Sequence, residues 1–401
     1  VRIPPIYQST GFFFDEPEHV ADLFDLKTPG HMYSRISNPG VAYLEEKIAL
    51  LEGGVGALAT ASGQAAIAMA ILNICGAGQH IVASSALYGG TYSLLDHTLR
   101  RWGIDVSFVS PAASAAEMAS HFRPGTRLLL AETIGNPALD VLEFAKFAQV
   151  AREMQVPLLV DNTFATPYLC RPLEQGANLV VHSTTKYLDG HATSVGGVIV
   201  DGGNFDWNNG KYPELCQPDP AYHGMCYRDR FGEKAYITKA RVQLLRDLGA
   251  CMSPFNAFLT NLGIETLALR MERHSCNALE LAQFLQKRAE VSRVNYPGLP
   301  DSTAYGLAQK YLPRGASGVL TFNIRGGAEA GKRFISRLQL ASLVVHVGDL
   351  RTLVLQPSTT THSQLTPEQQ EAAGVSPDMI RVSVGIEAIE DLKADFAQAL
   401  E

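Results

Sequence analysis

A chain of 401 residues exceeds what one hydrophobic core supports, since single cores stop growing at about 250–300 residues, so the sequence predicts two domains. With 46% hydrophobic and 18% charged residues of both signs, the composition is that of a soluble globular protein and excludes a disordered or fibrous one. A net charge of −7 provides no electrostatic footprint for nucleic acid or an anionic membrane, which leaves a small molecule as the expected partner.

Residues 1–40 carry Pro4, Pro5, Pro17, Pro29 and Pro39 among aromatic residues with little periodicity, and read as an extended arm lying on a partner subunit. Val1-Arg2-Ile3-Pro4-Pro5 lacks the apolar stretch of a signal peptide and no initiator Met is present, so the natural beginning is expected to be missing. From 41 to 248, helices and strands alternate. The apolar window Val55 to Cys75, interrupted by Ser62, Gly63, Gln64 and Asn73, reads as a buried helix with a polar entry and not as a membrane span. Strands are expected at His80–Ala83, Val106–Val109 and Leu128–Ala131, around Leu158 and Val180, and at Gly197–Val200, with helices near 63–74, 91–101 and 141–154. That order is the signature of βαβ units, hence a mostly parallel sheet covered by helices on both faces.

The Gly/Asn/Pro-rich interval Gly202 to His223 reads as a surface excursion. From 249 to 401 a long helical stretch (Phe255 to Arg288), short strands at Val319–Phe322 and Ile380–Ser383, and a last helix near 388–400 predict a smaller α+β domain. The cysteines (Cys75, Cys170, Cys216, Cys226, Cys251, Cys276) form no CxxC pair and no His-rich spacing, so neither a metal site nor a disulfide framework is expected. Scattered reduced thiols point to the cytoplasm.

Two apolar runs end in chemistry. Pro157-Leu158-Leu159-Val160 runs into Asp161, and Leu179-Val180-Val181-His182-Ser183-Thr184-Thr185 runs into Lys186. Ligands of open α/β sheets bind beyond the carboxyl ends of strands. A lysine able to form a Schiff base, neighbouring hydroxyls for a phosphate and a carboxylate to keep a pyridinium nitrogen positive are what pyridoxal phosphate chemistry requires. For Lys186 alone a solvated surface lysine is the simpler account, and only the conjunction with Asp161 and the motifs below opposes it.

Ser62-Gly63-Gln64 opens a helix whose free amides form an anion site, or Ser62 is an ordinary N-cap. Ser183 and Thr185, two apart on one strand, offer two hydroxyls on one face, or strand-end turn chemistry. Tyr88 of Tyr88-Gly89-Gly90-Thr91 presents a flat ring beside glycines that let the backbone approach a planar group, or it is a core tyrosine. Asn136 of Asn136-Pro137 sits at the same sheet edge, or in a simple turn. Arg381, inside the apolar run Ile380-Arg381-Val382-Ser383, needs a partner: a substrate carboxylate or an internal acid.

Together with Tyr33-Ser34-Arg35-Ile36-Ser37-Asn38-Pro39, Asp161-Asn162-Thr163 and Arg381-Val382-Ser383-Val384-Gly385-Ile386-Glu387, these motifs resemble the Cys/Met-metabolism enzymes of pyridoxal phosphate fold type I over nearly the whole chain. The resemblance implies a homotetramer built from tight dimers. It implies Lys186 as the Schiff-base lysine, Asp161 on the pyridine nitrogen and Tyr88 on the ring as stacking partner and acid or base. Ser62, Gly63, Gln64, Ser183 and Thr185 would hold the phosphate. Tyr33 and Arg35 would reach it from the neighbouring subunit, and Arg381, Asn136 and Ser358 would hold the substrate α-carboxylate.

Within the family, Gln64, the interval Asn209 to Gly224 and the run Leu244-Leu245-Arg246-Asp247-Leu248-Gly249 resemble the O-acetylhomoserine sulfhydrylases. The implied activity is γ-replacement on an O-acyl-homoserine by sulfide, giving homocysteine. The alternatives are cystathionine γ-synthase, cystathionine γ-lyase or methionine γ-lyase chemistry, or O-succinylhomoserine as donor. Family methionine γ-lyases have Cys where Gly90 stands. Cystathionine enzymes carry an acidic residue where Arg351 stands.

Overall fold

A computed structural model of the chain describes residues 2–361, 363 and 374–401. Short runs of Leu, Ile and Val without polar interruption form strands buried on both faces, because helices cover the sheet from either side. Among the described residues, seven strands make the first sheet: β1 (Gly56–Thr60), β2 (His80–Ser84), β3 (Asp105–Val109), β4 (Thr126–Glu132), β5 (Leu158–Asp161), β6 (Leu179–His182) and β7 (Gly197–Asp201). Their order is β1-β7-β6-β5-β4-β2-β3. β7 runs antiparallel to both its neighbours, and the other pairs are parallel. Side chains alternate between the two covering layers: Val82, Leu129, Val160 and Val180 pack on one, Ile81, Leu128, Leu159 and Leu179 on the other.

The register aligns Glu132 of β4 with Asp161 of β5, and Asp161 with Val181 of β6. The polar carboxyl ends of three adjacent strands thus meet at one edge. Asp161 and Lys186 were expected at that edge, and both are found there.

The window Val55 to Cys75 divides instead of forming one helix. Its first part is β1, and helix α3 below covers only Gly63–Leu72. A five-residue apolar run has no periodicity that separates strand from helix; pairing with β7 decides it. Ser62 ends the intervening turn and caps the helix, its Oγ accepting Ala65 N–H at 3.1 Å.

Gly202 to His223 is not a surface excursion. Trp207, Tyr212 and Leu215 are buried against the first sheet. Trp207 stacks on Tyr236 at 5.1 Å, and Tyr212 donates its hydroxyl to Arg127 O at 2.8 Å. The interval plugs one face of the sheet, and its aromatic content outweighs its turn residues.

The arm is also more regular than its prolines suggest. It contains helix α1 (Pro17–Phe24), followed by α2 (Pro39–Glu52), while Phe13 stands fully exposed. The expected helical stretch Phe255 to Arg288 breaks at Thr266 into Pro254–Glu265 and Leu267–Leu285. Arg270 bridges the break, donating to Gly263 O and to Tyr187 O, each at 2.7 Å.

Five strands form the second sheet among the described residues: β8 (Val291–Asn295), β9 (Val319–Ile324), β10 (Ser342–Leu343), β11 (Leu353–Leu355) and β12 (Met379–Ser383), in the order β10-β11-β12-β9-β8. Its core holds Leu320, Phe322, Phe334, Val382 and Phe396. Among the described residues no helix is long and apolar enough to cross a membrane.

Candidate active site

The loops after β4, β5 and β6 and the segment between β10 and β11 enclose a cavity lined by Lys186, Asp161, Glu132, Tyr88, Asn136 and Arg381, among others. Lys186 lies in the turn that follows β6, held by its N–H on Ser183 O at 3.2 Å and by its carbonyl on Gly190 N–H at 2.8 Å. Burial lowers the Lys186 ammonium to about 8, and the positive Arg381 adds to that effect. A lysine of ordinary pKa is almost wholly charged at neutral pH. At about 8, roughly one in ten is a free amine at pH 7.

Asp161 faces the cavity from the end of β5. Burial raises its carboxyl, while hydrogen bonding from Thr163 and the charge of His182 lower it; Thr163 N–H reaches Oδ1 at 2.9 Å. Glu132 sits beside it on β4, nearly sealed from solvent, with Tyr88 N–H donating to Oε1 at 2.6 Å. Burial, and then the Asp161 charge, push Glu132 well above the usual carboxylate range. Of the two adjacent carboxyls, Glu132 therefore takes a proton more readily than Asp161. Beneath them His182 Nε2 meets Glu52 Oε1 at 2.6 Å and Asn162 donates to the same oxygen at 2.9 Å, so the floor of the site is a buried polar network.

The first turn of α3 presents the N–H groups of Gly63 and Gln64 without intrahelical acceptors. A Cβ on Gly63 would stand 2.7 Å from Ser183 Cβ, and one on Gly197 2.7 Å from Gly63 N. Only glycines let the helix terminus, the Ser183 turn and β7 close on one another. This is a cradle for an anion, and the residues fit pyridoxal phosphate: an anion site at α3, the Asp161 carboxyl at the floor and an amine between them.

Ser183 and Thr185 line the cavity from the turn, not from the strand, because β6 ends at His182. Thr185 Oγ1 already donates to Gly196 O at 3.1 Å and accepts Gly196 N–H at 3.0 Å. Gln64 lines the cavity and donates to Thr91 Oγ1 at 3.4 Å. Tyr88 is half-exposed at the rim, and a Cβ on Gly90 would touch its ring at 2.5 Å.

Arg381 is buried in β12, donates to Asn136 Oδ1 at 3.4 Å and forms no ion pair among the described residues. Ser358 follows β11 and donates to Pro377 O at 3.4 Å; it is not part of the cavity wall, whereas Thr361 is. Tyr33 and Arg35 are also outside this chain's cavity; Arg35 lies over the Tyr33 ring at 5.4 Å and donates to Arg246 O. Arg351 points away, its guanidinium on Asp349 at 2.8 and 3.1 Å.

Four polar lining residues carry no role from the sequence: Glu132, Thr163, His346 and Thr361. Glu132 carried the same signal as Asp161, an acid closing an apolar strand run. His346, between Val345 and Val347, carried none.

A family model for the Cys/Met metabolism PLP-dependent enzymes matches residues 1–401. The chain is 50% identical to the O-acetyl-L-homoserine sulfhydrylase of Leptospira meyeri, over 100% of this chain and 92% of the relative. It is 51% identical to O-acetyl-L-homoserine sulfhydrylase 1 of Thermus thermophilus, over 100% and 95%. A crystal structure of a putative O-acetylhomoserine (thiol)-lyase from Campylobacter jejuni, which carries N'-pyridoxyl-lysine-5'-monophosphate, superposes with a TM-score of 0.96 at 35% identity, covering 99% of this chain and 95% of that one. With the cavity built as above and the match running from end to end, the chain belongs to the Cys/Met metabolism PLP-dependent enzymes.

Proposed function

We propose that the protein joins sulfide to O-acetylhomoserine, releasing acetate and forming homocysteine, as an O-acetylhomoserine sulfhydrylase of methionine biosynthesis. The observation that carries the reading is the enclosure of Lys186, Asp161 and Arg381 in one cavity of a chain that matches such enzymes along its whole length.

Pyridoxal phosphate, when bound, supplies an electron sink for bonds at Cα of the amino acid. Lys186 would carry it, with Asp161 holding its ring nitrogen positive, Tyr88 stacking on the ring, and Ser62, Gly63, Gln64, Ser183 and Thr185 around its phosphate. Arg381 and Asn136 bind the α-carboxylate: a buried guanidinium with no acid of its own among the described residues is matched by a bidentate carboxylate. Lys186 Nζ, partly neutral at about 8, takes the proton from Cα and then one from Cβ, whose electron pair expels acetate from Cγ, and protons return to Cβ and Cα after sulfide has added at Cγ. The apolar wall of Ile134, Phe164 and Val347 keeps water from the reacting carbons.

The same reading takes residues 1–40 as an arm, 41–248 as the cofactor domain and 249–401 as the smaller domain. It takes Tyr33 and Arg35 as serving a neighbouring subunit in a cytoplasmic homotetramer. Their distance from their own cavity supports this, as do the exposed apolar residues Tyr43 and Leu50 on α2 and Phe255, Leu262 and Leu269 on the helices that follow residue 253. The deciding assay follows homocysteine formation from acetyl and succinyl esters of homoserine, with sulfide against cysteine as acceptor. Predominant cystathionine, or a preference for the succinyl ester, would replace this reading with its alternatives.

A further inference from the structure

Among the described residues, the side chain within hydrogen-bond distance of Lys186 Nζ is His346, whose Nδ1 lies at 3.3 Å. The contact joins the two sheets. Lys186 belongs to the turn after β6, and His346 to the segment between β10 and β11. That segment is fixed between the two: Leu350 N–H donates to Gly190 O beyond the lysine turn at 3.0 Å, and Gly348 N–H to Ser383 Oγ of β12 at 2.9 Å. Gly348 holds φ +82°, and a Cβ there would stand 2.7 Å from Tyr187 N, so no larger residue allows this approach.

We propose that His346 is a positioning residue for Lys186: with its proton on Nε2, the imidazole accepts a hydrogen bond from Nζ at Nδ1 and fixes the freed amine beside Arg381. The proposal deepens the function above and rests on it, since Lys186 must be the lysine that carries the cofactor and moves the proton.

Charge separates positioning from a second base. Burial and the adjacent Lys186 lower the imidazole to about 4; Asp349 and Asp189 face the ring and oppose the shift, and Arg381 adds to it. With the lysine lowered only to about 8, the proton of the pair stays on Nζ. The ring therefore holds the amine without taking its proton. Nε2 is buried and meets no acceptor among the described residues, so the bond at Nδ1 is the one that fixes the tautomer. A freed lysine otherwise samples several rotamers, few of which aim Nζ at the reacting carbon.

The test compares full-length His346→Phe, which keeps a flat ring without an acceptor, and His346→Gln, which restores an oxygen acceptor. His346→Phe is expected to lose about ten- to a hundredfold in kcat, with KM for O-acetylhomoserine within about twofold, and His346→Gln to recover part of it. In the apoprotein, acylation of Lys186 followed by peptide mass spectrometry should begin at lower pH in His346→Phe, because an acceptor bonded to the ammonium favours the charged form. Nitrogen NMR of the histidine-labelled wild-type apoprotein should find the proton on Nε2.

A folded His346→Phe variant with wild-type kcat, or a wild-type ring protonated at Nδ1, overturns the proposal; the NMR arm decides it even where the variant does not fold. Failure of the underlying reading looks different. Borohydride reduction of the holoenzyme and peptide mapping would then place the cofactor on a lysine other than Lys186.

Discussion

Gly63 is the point at which the cradle is most sensitive to volume. A Cβ at this position would lie 2.7 Å from Ser183 Cβ and 2.9 Å from its Cα, both on a turn held by its own backbone bonds. Non-bonded carbons settle at about 3.5–4.0 Å, so Gly63→Ala pushes the start of α3 and the Ser183 turn apart by about 1 Å. Overpacking of this kind costs about 1–3 kcal/mol. The groups displaced are the Gly63 and Gln64 amides and the Ser183 hydroxyl, which are proposed to hold the cofactor phosphate. We expect pyridoxal phosphate affinity to fall by about tenfold or more, equivalent to about 1.4 kcal/mol, with a melting temperature lower by a few degrees.

The assay titrates apoprotein with the cofactor by visible absorbance, beside thermal unfolding. Gly306→Ala is the control: it lies in the helix Tyr305–Tyr311 with no atom within 4 Å of an added Cβ. It should leave affinity unchanged and stabilise the helix by up to about 1 kcal/mol. Wild-type cofactor affinity in Gly63→Ala refutes the reasoning, because the phosphate would then sit elsewhere.

Lys186→Ala should abolish turnover and the visible band of bound cofactor, and substantial residual sulfhydrylation would remove Lys186 from the mechanism. Asp161→Asn and Glu132→Gln should separate the paired carboxyls: the first loses most activity with some cofactor retained, and the second, at the carboxyl that takes a proton more readily, stays within about tenfold of wild type; equal losses contradict a different role for the two. Arg381→Lys should raise KM for O-acetylhomoserine with the cofactor still bound, since an ammonium lacks the planar fork; an unchanged KM makes Arg381 structural. Arg35→Ala should weaken cofactor retention, and mixed oligomers with Lys186→Ala should regain activity at sites that combine an intact arm with an intact lysine. No regain places the arm outside the neighbouring site.

The chain by itself determined the alternation of strands and helices and the sheet edge at which the cavity opens, and it singled out Lys186, Asp161 and Arg381, which line that cavity. Those residues interrupt or terminate apolar runs, and a polar group in such a place has few structural uses. Local pattern failed where tertiary pairing overrode it: β1 reads as helix until β7 lies beside it, and the stretch around Trp207 and Tyr212 reads as loop until its aromatics are seen in the core. The site divided in the same way. Glu132 carried the signal that gave Asp161, although only the register of β4 on β5 shows that the two carboxyls stand side by side. Ser358 fails to reach the cavity and Thr185 spends its hydroxyl on Gly196, because hydroxyl direction depends on a turn that sequence does not specify. His346 lies 160 residues from Lys186 in the chain, and only the packing of the second sheet against the lysine turn brings the two nitrogens within a hydrogen bond.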